Sequence, residues 1–504
     1  MARSIPDVEE ATVCEVNRGL VHVRRGDAQA LQDVQNSIQA YLYPTLTIDL
    51  KDPTDLLVDT VPILSYWGAT KEAPAAKSLP APGGPPSETS PKDTPSSSHA
   101  ATSQTGSPSQ EGVQNSTQPK LALQQLQTLV LTLVARARSA LGPLISGPPP
   151  TLLETGPLRD LSWHSAKQRL AVIGPFDRIL LYDLEARGEA AATPGVLAHE
   201  FQKGAAMVRW RPKAAGGLAV ACRTGVCFWT LTPPVHICPL SPSPAVRGSP
   251  SVRHRKPLQA TMVFFQSPSG APFTAVEWSP DGRLLAASSS LDSSIMVYDV
   301  ATGAGAPLRR GLGGEALLRW APSGDYFFSA KMNGNFHLWE TTRWTSEPWA
   351  SQSGRVVAAA WSPDSRALLL AFENSTTLGA IHLTGKVPSL DAHLIPLELP
   401  EVEALASRAC PNPGIEHMAW DAGGDRLAVS YRGGDEQTGG LVAVYDTRRT
   451  PVVAASFIGL IRGPKADSRP LSLSFFNRFA RGSLLAVAWS SSQISVYPLL
   501  YKGR

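Results

Sequence analysis

The stretch from Gly379 to Gly385-Lys386 looks like a phosphate-binding loop, in which backbone N–H groups cradle phosphates and a lysine reaches them. Five residues separate its glycines instead of four, and Val387 stands where a hydroxyl would hold magnesium, so the pattern does not fit a nucleotide. Gly303-Ala304-Gly305 lacks the third glycine of a dinucleotide fingerprint and precedes a β-type run rather than a helix. There is no G-x-S-x-G elbow and no H-E-x-x-H motif. The ten histidines share no spacing, and His164 and His199 read as surface or turn residues rather than paired ligands. Five cysteines (Cys14, Cys222, Cys227, Cys238, Cys410) are odd in number and never spaced C-x2-C, which speaks against a zinc site or a disulfide framework. They read instead as small buried apolar side chains in a reducing compartment. Asp177, Asp292 and Asn335 recur at similar distances before a β-type run, as Gln493 does. Converging carboxylates there would be catalytic, but polar side chains that tie down tight turns fit the residue types better. No catalytic residue, cofactor or metal ligand is assigned, and the chain reads as a non-enzyme.

These residues sit on a repeated unit. Its clearest copy is FTAVEWSPDGRLLAASSSLDSSIMVYDV, Phe273 to Val300. Three short β-type runs are separated by Ser279-Pro280-Asp281-Gly282 and by a turn centred on Asp292. Proline pre-sets φ in the first turn, aspartate can accept from nearby N–H groups, and glycine closes it without steric cost. One such unit cannot bury its own faces, so copies are expected. The repeated aromatic position is filled by Trp163, Trp210, Trp278, Trp320, Trp361, Trp420 and Phe475. The shortest spacings, 42 and 41 residues, match one blade of a WD-type propeller. Two long gaps hold insertions at 232–271, which carries a basic cluster (Arg247, Arg253, Arg255, Lys256), and at 384–415. Seven units predict an all-β, seven-bladed WD-repeat-type β-propeller over 150–504. A pair of β-sandwiches would use similar strands but not this period. The tryptophans then read as blade-packing residues.

Each visible unit supplies three strands, the fourth lying in the connection to the next. The seventh ends at Leu499, leaving no room for an outer strand, so one must come from elsewhere. Thr12–Val16 and Leu20–Val23, flanking Asn17-Arg18-Gly19, resemble a hairpin and are candidates. Within this N-terminal segment, 1–70, Leu31, Val34, Ile38 and Tyr41 follow at helical spacing, with Tyr43-Pro44 as the expected stop. Residues 71–119 are rich in Pro, Ser, Thr and Gly and bury too little to offset ordering entropy, which predicts a disordered linker. Residues 120–149 contain KLALQQLQTLVLTLVARARSAL, a short amphipathic helix with Leu123, Leu126, Val130, Leu133, Val134, Ala137 and Leu141 on one face. It reads as packed on its own domain rather than on a membrane surface.

Net charge is +4, too small to argue for nucleic acid or an anionic membrane as the main partner. No run of apolar residues is long enough to span a bilayer, and the start has no apolar signal-peptide core. Leu308-Arg309-Arg310-Gly311 is similar to the arginine-pair motif of phosphoinositide-binding propellers, where two guanidiniums grip a phosphorylated headgroup. That family carries it between its fifth and sixth blades, whereas here it follows the third unit. It defines the alternative function, a lipid effector at a membrane surface.

Beyond the repeat, the chain resembles aladin, a family of WD-repeat nucleoporins. The resemblance rests on LAVACRTGVCFWTL (218–231), FTAVEWSPDGRLLAASSSLDSSIMVYDV (273–300), LLRWAPSGDYFFSAKMNGNFHLWETTRWTSEPW (317–349), GRVVAAAWSPDSRALLL (354–370) and RGSLLAVAWSSSQISVYPLLY (481–501). It covers about 155–501 and is weaker at 11–25 and 121–141. It implies a non-catalytic scaffold subunit of the nuclear pore complex, at the nuclear envelope in the nucleus, that supports nucleocytoplasmic transport. The implied partners are other nucleoporins, including an integral membrane nucleoporin as anchor, with spindle proteins for animal members. It implies no specific nucleic acid, no small-molecule ligand, and membrane association through the anchor. Two departures stand out. The 71–119 linker replaces more ordered sequence, and the animal family's C-terminal tail does not follow Arg504, so contacts made through that tail are not carried over.

Overall fold

A computed structural model describes residues 5–43, 45–48, 66–67, 158–185, 194–232, 259–399, 414–433 and 439–502. The expected linker at 71–119, the helix expected at 120–149, the basic cluster at 247–256, Cys238 and Cys410 lie outside the described residues.

The strands form seven sheets, each built on antiparallel strands that run outward in chain order, with strands from the N-terminal segment added at the edges of two of them. The innermost strands are Leu161–Trp163, Met207–Trp210, Ala275–Trp278, Glu315–Trp320, Val356–Trp361, Ile415–Trp420 and Pro470–Phe476. Each touches the next around a ring, and the last returns to the first, giving a seven-bladed β-propeller. The second strands, such as Leu284–Ser288 and Ala367–Phe372, are buried almost throughout because they pack between neighbouring blades on both faces. That explains their short unbroken apolar runs.

The turn after each inner strand is built by its sequence. In the third blade Ser279 Oγ donates to Asp281 Oδ1 and accepts from Leu284 N at 2.8 Å, while Arg283 N donates to Asp281 Oδ1 at 3.0 Å. Gly282 has φ +74°, and a Cβ there would meet Pro212 O at 2.5 Å, so glycine is required twice over. The fifth blade repeats the arrangement with Ser362 and Asp364.

Both expected insertions contain a strand. Gln259–Gln266 is the fourth strand of blade two and Ala392–Leu397 that of blade five. In the first, the apolar run Ala-Thr-Met-Val-Phe-Phe directly follows a Pro/Ser-rich stretch whose composition hides it. Tyr66–Trp67 adds a parallel fifth strand to blade two. The one described α-helix, Ala28–Ile38, ends five residues before Tyr43 because Gln39 turns left-handed, at φ 49° and ψ 41°. Asp27 caps its start by accepting from Ala30 N, and none of its residues is buried.

Blade seven has three strands from the C-terminal sequence, the third being Gln493–Leu500. Its outer edge is covered in two pieces. Glu10–Val16 runs parallel to it, pairing Glu15 with Leu499 and Val16 with Leu500. Leu46–Thr47 pairs antiparallel with Gln493 and Ile494. Gly19–Arg24 completes a hairpin outside Glu10–Val16. A cavity of about 370 Å³ opens between the two pieces, lined in part by Ser495, Val496, Tyr497, Val23 and Leu31.

Candidate functional site

The repeat aromatics lie at the seams between blades. Trp163, Trp210, Trp278, Trp320, Trp361, Trp420 and Phe475 are each no more than 9% exposed. Three donate their indole N–H across a seam, to the carbonyl of the residue just before the equivalent aromatic in the preceding blade. Trp278 donates to Arg209 O at 3.1 Å, Trp361 to Arg319 O at 3.3 Å, and Trp163 to Ser474 O at 3.1 Å. The last of these crosses from blade one to blade seven and so latches the ring. Trp320 and Trp420 turn inward on their own blades, donating to Gly324 O and Thr447 Oγ1. Trp210 Nε1 has no partner among the described residues.

The recurring polar residues do three different things. Asp292 ties its own turn, accepting from Ser294 N at 3.2 Å and Ser294 Oγ at 2.8 Å. Burial pulls its carboxyl up, but hydrogen bonding from Ser269 and Ser294 holds it below the usual range. Asp177 reaches out of its blade: its carboxylate accepts from Gly204 N and Ala205 N, on the way into blade two, and from Arg159. In blade four the turn is tied by Asn333, whose Oδ1 accepts from Asn335 N at 3.1 Å, while Asn335 is exposed as the first residue of the strand. The equivalent position is therefore two residues before the third strand, as Asp177 and Asp292 are, and Asn335 is displaced from it.

Arg309 ends the outer strand of blade three and Arg310 follows it, both exposed. Their surroundings differ. Arg309 lies near Asp292, whose low carboxyl range it supports, while the Arg310 guanidinium sits over the Trp339 ring at 5.9 Å from its centroid. The two side chains thus have separate neighbours within the fold.

Inner strands also carry a relay of charge from blade to blade. Asp160 accepts from Arg209 at 2.6 Å and from Ser472 Oγ at 3.1 Å, joining blades one, two and seven. Glu277 then lies between Arg209 at 3.9 Å and Arg319 at 3.7 Å, and Arg319 donates to Ala359 O. Burial pushes the Glu277 carboxyl up, an effect opposed by the two guanidiniums. Burial likewise pushes Arg319 down, against the opposing charge of Glu277. Every member has a partner across a seam, so the relay can pin blade spacing.

Two features are absent from the sequence reading. Glu15, fully buried, receives the Arg426 guanidinium at 2.7–3.0 Å, and Arg426 also bridges Asp446 and lies 4.1 Å over the Tyr501 ring. Arg25 donates to Gly463 O and Pro464 O, and Arg462 to Pro6 O. These bonds lock the N-terminal hairpin to blades six and seven. The partners are hundreds of residues apart, and no local spacing signals them. His164, expected as a surface or turn residue, is a turn residue and is only 2% exposed. Its Nδ1 accepts from Ala166 N at 3.0 Å and Lys167 N at 3.1 Å, taking in blade one the place that Ser279 and Ser362 take in theirs. Its position directly after Trp163, like Ser279 after Trp278, is the signal that could have found it.

The profile of the Aladin seven-bladed propeller matches residues 152–500. The chain belongs to the aladin family. It is 41% identical over 377 residues to the Aladin of Arabidopsis thaliana, covering 74% of this chain and 83% of that protein. The β-propeller domain of Cps50 (Swd1) from Myceliophteria thermophila is a structural match at 15% identity and TM-score 0.47, over 68% of this chain and 96% of that one. The matched aladin span starts at 152, yet the outer strand of blade seven comes from Glu10–Val16.

Proposed function

We propose that the chain is a non-catalytic scaffold subunit of the nuclear pore complex, held at the nuclear envelope and supporting nucleocytoplasmic transport. The observation that carries this reading is membership of the aladin family over the whole propeller. The geometry is consistent with it. The repeat aromatics and the charge relay are spent on blade seams, Asp177, Asp292 and Asn333 on turns and connections, and Glu15 and Arg426 on ring closure. What such a disc offers partners is its two faces and its rim. Its partners on this reading are other nucleoporins, one of them an integral membrane nucleoporin that supplies the anchor. Imaging the full chain fused to a fluorescent protein in living cells tests the proposal: a punctate nuclear rim is expected, and a diffuse cytosolic or endosomal distribution overturns it.

A further inference from the structure

Three loops meet at one end of the seam between blades three and four. They are the turn after Leu284–Ser288, the connection from Arg309 to Glu315, and the turn after Tyr326–Lys331. Because the strands alternate in direction, a blade's second turn and its exit connection emerge on the same face of the disc. The loops are packed together. Glu315 N donates to Ser289 O and Met332 N to Gly314 O, both at 2.9 Å, and a Cβ on Gly314 would lie 1.8 Å from Ser290 O.

Each loop nevertheless sends an aliphatic side chain into solvent: Leu291 is 76% exposed, Leu312 86% and Met332 43%. Leu312 stands between Gly311 and Gly313, both at positive φ, on a loop with no neighbouring side chain to fold over it. Beside this apolar group is a cavity of about 350 Å³, lined by Leu312, Lys331, Asn335, His337 and Pro348. At its wall His337 is 8% exposed, and its Nδ1 has no hydrogen-bond partner.

The charge at this seam is uneven. The two carboxylates of the three loops are already engaged, Glu315 by Lys331 at 2.5 Å in a fully buried pair and Asp292 by Ser294. Arg310 has no carboxylate partner among the described residues and rests on Trp339. Leu312 at the wall of a concavity, exposed apolar tips on the two adjoining loops and a guanidinium without a carboxylate partner together suit a ligand that brings apolar surface and an anion. Among the described residues, Arg310 is the one guanidinium of these loops that faces no carboxylate, since Arg309 lies near Asp292, and a single cation is few for an anionic membrane surface. It matches one carboxylate set among the apolar side chains of a protein segment.

We propose that this seam docks an acidic, apolar-flanked segment of a protein partner, its carboxylate facing Arg310 and its apolar side chains covering Leu291, Leu312 and Met332. The proposal rests on the scaffold reading and names the face that reading uses.

The test places a photo-crosslinking residue in the full chain, Leu312→p-benzoylphenylalanine, in cells, with Val452→p-benzoylphenylalanine on the opposite face as control. The adducts are mapped by mass spectrometry. The expected result is a protein adduct at 312 and not at 452, mapped to a peptide with Asp or Glu beside apolar residues. Its yield should fall at least tenfold with Arg310→Glu and recover with Arg310→Lys, while both variants keep the wild-type melting temperature. No adduct, a yield indifferent to Arg310→Glu, or adducts with lipid alone would overturn it. So would binding to phosphatidylcholine vesicles containing one-fifth phosphatidylserine that Leu312→Asp abolishes, because the face would then belong to a membrane. If the nuclear rim persists while the crosslink fails, this face is wrong and the scaffold reading stands.

Discussion

A tryptophan at the end of an inner strand fills a seam and, in three blades, also donates across it. Trp278→Phe keeps most of the buried volume and removes the bond to Arg209 O. The expected cost is about 1 kcal/mol. Trp278→Ala also leaves a cavity, at about 3–5 kcal/mol. Chemical denaturation of the two variants checks the gap between them, and equal costs would mean that the indole N–H contributes nothing. His164 ties the same kind of turn as Ser279 with an imidazole, and it can do so only while Nδ1 is unprotonated, since both its partners are donors. Burial pushes His164 below its ordinary value, as it does His22, His337, His382 and His417. In the unfolded chain these rings take up protons near their ordinary value of 6.5, while the folded chain resists until lower pH. Their contribution to stability is therefore complete above 6.5 and is lost as pH falls through the lowered folded values. Thermal melts from pH 7.5 to 5.5 should show a falling Tm, and His164→Ser, which keeps an acceptor but cannot titrate, should flatten that slope. A slope unchanged by the substitution would remove His164 from the account.

At the scale of elements, the N-terminal hairpin is the piece that the rest of the fold cannot replace. Blade seven has its outer edge covered by residues from the far end of the chain, and the bond between Glu15 and Arg426 is buried on both sides. Breaking one partner of a buried pair commonly costs about 3–5 kcal/mol. Arg426 keeps Asp446 and Tyr501, so Glu15→Ala should sit at the lower end, about 3 kcal/mol, and lower Tm by several degrees. Deleting residues 1–25 should cost more, and an unchanged melting temperature in that deletion would show that the strand is dispensable. The strands of this hairpin were legible in sequence, because Asn17-Arg18-Gly19 between two β-type runs is a local signal. Its ties through Glu15, Arg25 and Arg462 were not, since a buried ion pair carries no periodicity. The seven inner strands were legible for the opposite reason: an aromatic followed by a polar turn recurs at one period. The outer strands at 259–266 and 392–397 were obscured by the Pro/Ser-rich or loop-like sequence around them. Asn335 was mistaken for the turn-tying residue because spacing alone cannot separate it from Asn333, two residues away on the same loop.

At the scale of the whole propeller, the described strands close a ring that conspicuous side chains hold shut. Seven blades read from sequence give the architecture, and the aladin match gives the family. The charge relay through Asp160, Arg209, Glu277 and Arg319 links blades seven, one, two, three, four and five at the inner strands. Glu277→Gln should therefore loosen the ring without unfolding it, seen as faster amide exchange in the inner strands of blades two to four and unchanged exchange at the closure near Glu15. Uniform acceleration across all blades would show that the relay has no local role. What surface loops bind is written in exposure and charge that only the packed loops reveal: Leu291, Leu312 and Met332 are far apart in the repeat pattern and adjacent in space. The claim on which everything functional depends is that this ring is a scaffold at the nuclear pore. Proximity labelling from the full chain in living cells tests it most directly. Nucleoporins, an integral membrane nucleoporin among them, should dominate the labelled neighbours, and a labelled set without pore proteins would contradict the account.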